Sequence, residues 1–247
     1  MSAVSMSGPT GGEGGSLVQR AIDTVRNHIR TEGLRVGDSL PGEGHFAVKL
    51  GVSRAVMREA FGVLAALRLI DVGNGRKPRV SAIDGAVIAS SLDHAVSTAQ
   101  ISVAEVWDVR RTIELRTAAL AAQNRTDAEA QVIVDLAEAM DRDHDDMTRV
   151  AAHDIAFHAA IARAGRNALF VQIVASFGPL MEEAVPAAWK TRVAEEDRVS
   201  TLERHRALAR AILNRDVEAA IEAMDAHFDA SIGDILRGLS HPETVHA

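Results

Sequence analysis

The segment that most constrains the fold is a helix signal followed closely by a basic hairpin signal. Ser53 is a favoured N-cap residue, and the helical pattern after it places Arg54 and Arg58 on one face. The next segment, LRLIDVGNGRKPRVSAI, predicts two short strands around a tight turn at Asn74-Gly75.

Two more helices are predicted upstream of this segment. SLVQRAIDTVRNHI has apolar residues at helical spacing with Ser16 as a possible N-cap, and a short helix fits Glu43 to Leu50, ended by Gly51. The buried face of the third helix is predicted to be Val56, Ala60, Val63, Leu64 and Leu67. Three helices followed by a basic hairpin predict a winged helix-turn-helix over residues 16–81.

Charge is divided unevenly along the chain. Residues 16–81 hold 11 Lys and Arg against 6 Asp and Glu, whereas residues 82–247 hold 16 against 27, within a net charge of -7. A basic module joined to an acidic one indicates that the first module meets a polyanion. Chance clustering of charge is the alternative interpretation.

The predicted polyanion is double-stranded DNA. The second helix of a helix-turn-helix pair enters the major groove by its N-terminal end, where Ser53, Arg54 and Ala55 lie. Arginine pairs with guanine edges or with phosphate, so Arg54 and Arg58 suit both contacts. The wing segment adds three further cations that would follow the backbone or minor groove, namely Arg76, Lys77 and Arg79. Taken alone, an i,i+4 arginine pair is more often a solvated helix face.

Composition excludes several classes of protein. The absence of cysteine excludes disulfides and thiolate metal sites. Residues 1–15 contain five glycines and no Lys, Arg or apolar run, so they are predicted to be a disordered tail, and residues 241–247 a second tail. No apolar run approaches the roughly 18 residues of a membrane helix, so no membrane partner is expected. The expected location is the cytoplasm.

Residues 82–240 are predicted to form an all-α antiparallel bundle of about seven helices. Helical patterns cover residues 84–96, 103–123, 127–143, 149–164, 167–185, 200–213 and 216–239, with Asp127 and Asp216 as plausible N-caps. The fold class is therefore mainly α, with one small β-hairpin in the N-terminal module. Bundles of this kind build sites from side chains that face inward.

Histidine positions in the bundle point to a metal site. Asp154 and His158 are separated by about 40° around a helix and can converge, and His205 and His227 lie on the last two helices. One carboxylate and three imidazoles suit a divalent metal such as Zn, Ni or Mn. His153 lies about 140° from His158 and cannot share the site. The alternative is that each histidine is a surface residue or a satisfied core residue.

The N-terminal module resembles the DNA-binding domain of GntR-family bacterial transcription regulators. The matches to the family pattern are Leu40, Pro41, Glu43, Ala47, Gly51, Val52, Ser53, Arg54, Arg58, Glu59, Ala60 and Leu64. The resemblance implies DNA contacts from Ser53, Arg54 and Arg58 and a wing tip at Asn74, Gly75 and Arg76; Arg35 and Ala55 complete the predicted DNA-binding set. Gly44 stands where the family usually has Arg, so one DNA contact is expected to be absent.

The C-terminal module resembles the FCD ligand-binding domain of the FadR subfamily. The segments that carry the resemblance are EVWDVRRTIE, HDIAFHAAIARAGRN, ERHRALARAI and AMDAHF. The resemblance implies that Asp154, His158, His205 and His227 bind the metal and that Arg110 binds an effector carboxylate. Glu114 and Asn167 are assigned to the same effector site. An ion pair between Arg110 and Glu114 that only stabilises a helix is the alternative for Arg110.

The sequence therefore predicts a homodimeric transcription regulator, and not an enzyme. It binds a palindromic operator, and a small carboxylate effector such as a sugar, hydroxy or keto acid modulates the binding. Repression and activation both stay open. One alternative is a metal-dependent enzyme with a DNA-binding appendage, against which stands the absence of an H-E-x-x-H motif and of a dedicated general base. A regulator with a purely structural metal is the other alternative.

Overall fold

The computed structural model describes residues 11–73, 75–192 and 194–240, and the side chains of these residues except 11–16 and 234–240. These residues form two compact units that meet in the sequence between Asp84 and Gly85. The fold is mainly helical with one small antiparallel sheet, as the sequence predicts.

The N-terminal unit contains three helices and a hairpin, in the predicted order. Their bounds are α1 Gly11–Thr31, α2 Glu43–Leu50, α3 Arg54–Ala66, β1 Ile70–Asp71 and β2 Arg79–Val80. The Ser53 hydroxyl accepts a hydrogen bond from the Val56 N–H at 3.3 Å and so caps α3. Gly51 ends α2 in the left-handed conformation at φ 70°, which glycine adopts without strain.

The core of this unit is apolar, and the buried face of α3 differs from the prediction. Its buried residues are Met57, Ala60, Phe61 and Leu64, whereas Val63 and Leu67 are exposed. The largest apolar side chains, Met57 and Phe61, occur one position away from the predicted stripe, and they pack with Phe46 of α2. Because large side chains bury the most apolar area, they determine which face of the helix turns inward.

Two boundaries of the N-terminal unit also differ from the prediction. Ile70 pairs with Val80 and Asp71 with Arg79, so seven residues connect the strands instead of a two-residue turn. The first helix starts at Gly11, so residues 11–15 of the predicted tail are helical, because extending a helix costs far less than nucleating one. Residues 1–10 and the predicted tail 241–247 lie outside the described residues.

The C-terminal unit is a helical bundle. Its described helices are α4 Ala86–Ser97, α5 Val103–Asn124, α6 Asp127–Arg142, α7 Met147–Ala164, α8 Ala168–Ser176, α9 Gly178–Thr191, α10 Glu195–Leu213 and α11 Val217–Ser240. The sequence predicts about seven helices, and the described part of the unit has eight because the segment 167–185 is divided at Phe177. Pro179 lacks an N–H and its ring would clash with the carbonyl of Ala175 in a continuous helix, which favours a break there, with Pro179 in the first turn of α9.

Capping residues fix where these helices begin. Thr126, not the predicted Asp127, caps α6: its hydroxyl accepts from the Glu129 N–H at 3.2 Å, and its own N–H donates to Glu129 at 2.9 Å. A hydroxyl with Glu three positions later makes this reciprocal pair, which explains the one-residue difference. The predicted cap Asp216 is confirmed by its hydrogen bond from the Ala219 N–H at 3.0 Å.

The first residue of the helical unit is closely packed. Gly85, which precedes α4, lies so close to α8 that an added Cβ would be 2.6 Å from the Gln172 carbonyl oxygen.

None of the described helices is by itself long and apolar enough to cross a membrane. The pair α8 and α9 meets that length and composition only when joined, and it is bent by 52°.

Candidate functional site

A cationic surface lies at the N-terminal end of α3. It consists of Ser53, Arg54, Ala55 and Arg58, all of which are exposed. The Arg58 Nε lies 3.8 Å from Glu43 of α2, an exposed ion pair of the kind that water and salt screen strongly. The predicted recognition residues are therefore on one accessible face, with a helix N-terminus that favours phosphate.

Gly44 of α2 lies beside this surface. A Cβ added at Gly44 would be 3.7 Å from Nη2 of Arg54, so the Arg54 guanidinium lies over the position where the family pattern has Arg. That distance is ordinary van der Waals contact. The cationic surface is thus built from α3, and α2 contributes no cation at this position.

The other predicted DNA-binding residues lie on loops. Arg35 is exposed and its backbone N–H donates to Asp38 at 2.7 Å. In the hairpin connection, Gly75 has φ 72° and Arg76 is exposed, with its Nη2 3.7 Å from Asp71. Asn74 lies outside the described residues. Arg79 is also exposed, and its guanidinium donates to the Gly37 carbonyl at 2.5 Å, which holds the hairpin to a loop.

In the helical unit, three helices bring four polar side chains to one buried point. Asp154 and His158 come from α7, His205 from α10 and His227 from α11. We call these four residues the histidine cluster. One ligand atom from each lies within 4.8 Å of the others, and all four side chains are buried. His153 lies apart from the cluster, with Nε2 2.8 Å from Asp143.

Neighbouring groups orient the rings of the cluster. His205 Nδ1 lies 2.9 Å from the Thr201 carbonyl, which can only accept, so Nδ1 carries a proton, and Nε2 lies 3.0 Å from Asp154. His158 Nδ1 contacts a carboxylate oxygen of Glu114. Among the described residues, neither His158 Nε2 nor His227 Nδ1 has a hydrogen-bond partner.

This arrangement fits a divalent metal. Metal-binding histidines usually donate one ring N–H to a carbonyl or carboxylate and bind through the other nitrogen, which is the pattern at His205 and His158. Buried polar atoms without partners are rare in folded proteins, and a cation would satisfy those of the cluster. Three imidazoles and one carboxylate suit Zn, Ni or Mn.

The pKa values of Asp154 and His227 are both lowered in the cluster, for different reasons. Burial alone would raise the pKa of Asp154, but the His205 hydrogen bond and the nearby imidazoles outweigh it and lower that pKa. Burial, with the charges of His205 and His158, holds the pKa of His227 well below its usual 6.5. A carboxylate that stays ionised and an imidazole that stays neutral are the forms that bind metals.

An ion pair on α5 adjoins the cluster. Arg110 Nε donates to Glu114 Oε1 at 2.8 Å, and both side chains are at most 3% exposed. Burial opposes ionisation of Glu114, but Arg110 and His158 outweigh it and lower the pKa of this carboxyl. Glu114 therefore connects Arg110 to His158, and the Arg110 guanidinium also lies over the ring of Trp107, 4.7 Å from its centroid.

A cavity of about 30 Å³ opens beside these groups. Arg110, Asp154, His205 and His227 line it, whereas Glu114 lies behind Arg110. Asn167, assigned to the effector site from the sequence, is exposed and caps α8, where it accepts from the Leu169 N–H at 3.0 Å. It is not among the residues that line the cavity, and its side-chain oxygen is used to cap α8.

Several residues that line the cavity were not predicted from the sequence, among them two tryptophans and an arginine. Trp107, Trp189 and Arg192 line the cavity and are at least nine-tenths buried. The two tryptophans are the only ones in the chain, which is otherwise poor in aromatics. The rarity of tryptophan in this chain could have marked both residues as candidates. The pattern of a single helix does not show which helices pack together, so it could not place them in the cavity.

The two regions define the class of protein. A winged helix-turn-helix with an exposed cationic third helix is the architecture of DNA-binding regulators, and the same chain carries an all-helical unit with a buried polar cavity. Residues 17–80 match the family model described as bacterial regulatory proteins, gntR family, and residues 105–230 match the FCD domain. The chain belongs to the GntR family and carries an FCD domain; it is a transcriptional regulator.

Relatives support this assignment. The chain is 31% identical over 200 residues to the Glc operon transcriptional activator of Escherichia coli K12, covering 78% of this chain and 79% of the relative. It is 28% identical to the HTH-type transcriptional regulator LutR of Bacillus subtilis, covering 85% and 96%. A solved structure of Streptococcus agalactiae GntR, 23% identical, has the same fold with TM-score 0.61, covering 86% of this chain and 97% of that one.

Proposed function

We propose that a small carboxylate effector, bound at a divalent metal in the histidine cluster, controls how tightly this regulator binds its operator. The observation that carries the proposal is the convergence of four buried ligand atoms within 4.8 Å of one another. A bound cation would supply open coordination positions for carboxylate oxygens. Arg110, which lines the same cavity, would bind the effector carboxylate by charge-assisted hydrogen bonds.

On the DNA side, the proposal assigns the contacts to the cationic surface and the hairpin. The N-terminal end of α3 would enter the major groove, with Arg54 and Arg58 divided between base edges and phosphate. The exposed Arg35, Gly75 and Arg76 would contact the DNA backbone. A homodimer acting on a palindromic operator in the bacterial cytoplasm completes the proposal, since two-fold operators match two-fold proteins.

Effector control requires that the effector binds two states of the protein with different affinity. The cavity of about 30 Å³ has room for about two waters, so an organic acid must displace side chains or helices to enter. The closed form excludes the effector, whereas a form with an enlarged cavity admits it. The affinity for the effector therefore differs between the two states.

A thermal-shift screen of hydroxy and sugar acids tests the proposal, with the metal-loaded and the chelated full-length protein. At least one acid should raise Tm only when metal is present, and the same acid should change operator affinity in a gel-shift titration. His158→Ala should abolish both responses, whereas the matched variant His153→Ala, on the same helix but outside the cluster, should keep them. An acid that shifts Tm equally with chelator present would contradict the metal-dependent site.

The same experiment distinguishes the proposed effector site from the alternative in which the metal is purely structural. The burial of all four ligands favours that alternative. In that case chelator or His205→Ala lowers Tm, but an acid still changes operator affinity. Turnover of a bound acid by the purified protein would instead support the enzyme alternative.

A further inference from the structure

Two buried indole N–H groups belong to residues that line the cavity. Trp107 lies on α5 and is 5% exposed, and Trp189 lies on α9 and is 2% exposed. Neither Nε1 atom has a hydrogen-bond partner among the residues that the structure describes. Buried polar groups in folded proteins are nearly always hydrogen-bonded, and an indole N–H can only donate. The two tryptophans therefore require acceptor atoms from a molecule that enters the cavity.

Trp107 lies next to the residue that is proposed to bind the effector carboxylate. The Arg110 guanidinium carbon lies 4.7 Å from the centroid of the Trp107 ring, and both residues line the same cavity. A carboxylate that binds Arg110 would bring the adjoining carbon chain of the effector to this part of the cavity wall. The indole donors are thus placed for the part of the effector beyond its carboxylate.

Two hydroxyl groups of the lining can act toward a ligand only as acceptors. Ser231 donates its proton to the His227 carbonyl at 2.6 Å, and Thr201 donates to a backbone carbonyl of α10 at 2.9 Å. Thr201 also accepts from Arg204 at 3.3 Å, which leaves it one lone pair. Each hydroxyl lies one helical turn from a member of the histidine cluster, because Ser231 follows His227 by four residues and Thr201 precedes His205 by four.

This lining thus combines donors that lack acceptors with hydroxyl oxygens whose protons are used. A ligand hydroxyl group matches both, because it donates one hydrogen bond and accepts others. A keto oxygen or a carboxylate only accepts, and a methyl group does neither. Water has the same dual character as a hydroxyl, and displacing ordered water by a group that cannot reproduce its hydrogen bonds loses affinity. Hydroxyl groups therefore fit this lining better than a second carboxylate or a hydrocarbon chain.

We propose that the effector carries hydroxyl groups along its carbon chain, which accept from the indole N–H groups of Trp107 and Trp189 and donate to the lining hydroxyl oxygens. This inference rests on the proposed function and narrows its effector from carboxylates in general to polyhydroxy acids. The two tryptophans are then specificity-determining residues. They bind the carbon chain of the effector, while the metal and Arg110 bind its carboxylate.

The test compares four-carbon acids that share a 2-hydroxycarboxylate group, with full-length protein loaded with Zn²⁺. They are 2-hydroxybutanoate, both diastereomers of 2,3,4-trihydroxybutanoate, and malate, which differ only at carbons 3 and 4. Titration calorimetry measures the affinities. One net hydrogen bond corresponds to about fivefold in Kd. We expect at least one trihydroxybutanoate to bind about tenfold more tightly than 2-hydroxybutanoate, and also more tightly than malate.

The indole NMR signals give a readout that is independent of affinity. The chain has two tryptophans, so the protein gives two indole N–H signals. A hydrogen bond to a ligand oxygen moves an indole proton downfield. Saturating trihydroxybutanoate should move both signals downfield of their positions with saturating 2-hydroxybutanoate, because the two acids differ only in the hydroxyl groups of the chain.

Trp107→Phe and Trp189→Phe each remove one N–H and keep an aromatic ring in the cavity wall. Each variant should lower the ratio of the affinities for trihydroxybutanoate and 2-hydroxybutanoate by about fivefold. Phe170→Leu, a half-buried change on α8 outside the cavity lining, is the matched control and should keep the wild-type ratio. An unchanged ratio in both tryptophan variants would contradict the assignment to the indoles. Should these variants fail to fold, the acid comparison and the indole signals of the wild-type protein decide.

Three further results overturn the inference and leave the proposed function intact, provided that binding depends on the metal. They are equal affinities for 2-hydroxybutanoate and the trihydroxybutanoates, tighter binding of malate than of either diastereomer, and indole signals that stay in place. Metal-independent binding of all the acids, or binding of none, contradicts the proposed function itself and with it this inference.

Discussion

The two units of this regulator use charge in opposite ways. Among the described residues, the charged side chains of the N-terminal unit lie outside its core of apolar residues such as Phe46 and Phe61. The helical unit buries Arg110, Glu114, Asp154 and three histidines in its interior. Charges at a surface are solvated and contribute little to stability, whereas buried charges must be paired or must bind a ligand.

This difference shows that stability depends on the candidate functional residues of the helical unit but not on those of the N-terminal unit. The cationic surface of α3 can change without disturbing the core below it, since Arg54 and Arg58 are exposed. The histidine cluster and Arg110 cannot, because each buried charge depends on its neighbours. The predictions below compare matched changes in the two units, beginning with the largest expected effect.

Glu114→Gln should be the most destabilising of these changes. It leaves the buried Arg110 without its counter-charge, which costs about 3 kcal/mol or more in the free energy of unfolding. The matched surface change is Glu43→Gln, which breaks the exposed pair with Arg58 and should cost at most about 1 kcal/mol. Urea unfolding of chelated protein measures both. Similar losses in the two variants would contradict the comparison.

Arg54→Ala and Arg58→Ala should reduce operator affinity with little effect on stability. Loss of a base or phosphate contact costs about 1–3 kcal/mol, which is about 5-fold to 140-fold in Kd. Arg26→Ala, an exposed change on α1, is the control. Fluorescence anisotropy with an operator fragment obtained by binding-site selection gives the affinities, and thermal unfolding gives the stabilities. A large drop in Tm, or an equal loss in the control, would reject α3 as the recognition helix.

The free energy of unfolding of the chelated protein should depend on pH through the histidines of the buried cluster. Burial and the charges of His205 and His158 hold the pKa of His227 in the folded protein below the unfolded value of 6.5. The contribution of His227 to the free energy of unfolding is therefore present above pH 6.5 and is lost as the pH falls. Burial lowers the pKa of His158, but Glu114 outweighs it and raises that pKa, so its contribution is lost as pH rises above 6.5.

Stability without metal should therefore pass through a maximum near pH 6.5, with a limiting slope of about 1.4 kcal/mol per pH unit for each proton. Urea unfolding from pH 5 to 8 measures the curve. His227→Phe should remove the acid side of the maximum, and an unchanged acid side in this variant would exclude His227 as its cause.

Gly44→Arg should have the smallest effect. It restores the cation that the family pattern has beside Arg54, in a position with room for a side chain. One added phosphate contact should increase the slope of log K against log salt by about 1 for non-specific DNA, and stability should change by less than about 1 kcal/mol. An affinity and salt slope equal to those of the wild type would show that this position makes no DNA contact.

The sequence predicted features that depend on local pattern. The α2 bounds, the Ser53 cap and the separation of His153 from His158 follow from turn chemistry and helical spacing. It did not predict features that depend on which helices meet. The inward rotation of α3 toward Met57 and Phe61, the contact between Glu114 and His158, and the tryptophans of the cavity arise from packing between distant segments.

Gly85 has a consequence for recombining regulators. The cationic surface lies before Asp84 and the cavity after it, so a chimera that exchanges the first 84 residues for those of a relative would join the same helical unit to another winged helix-turn-helix. The junction must keep Gly85 with the helices, because a side chain there would be 2.6 Å from the Gln172 carbonyl oxygen. A chimera assembled from this chain should therefore be joined before that glycine and not after it.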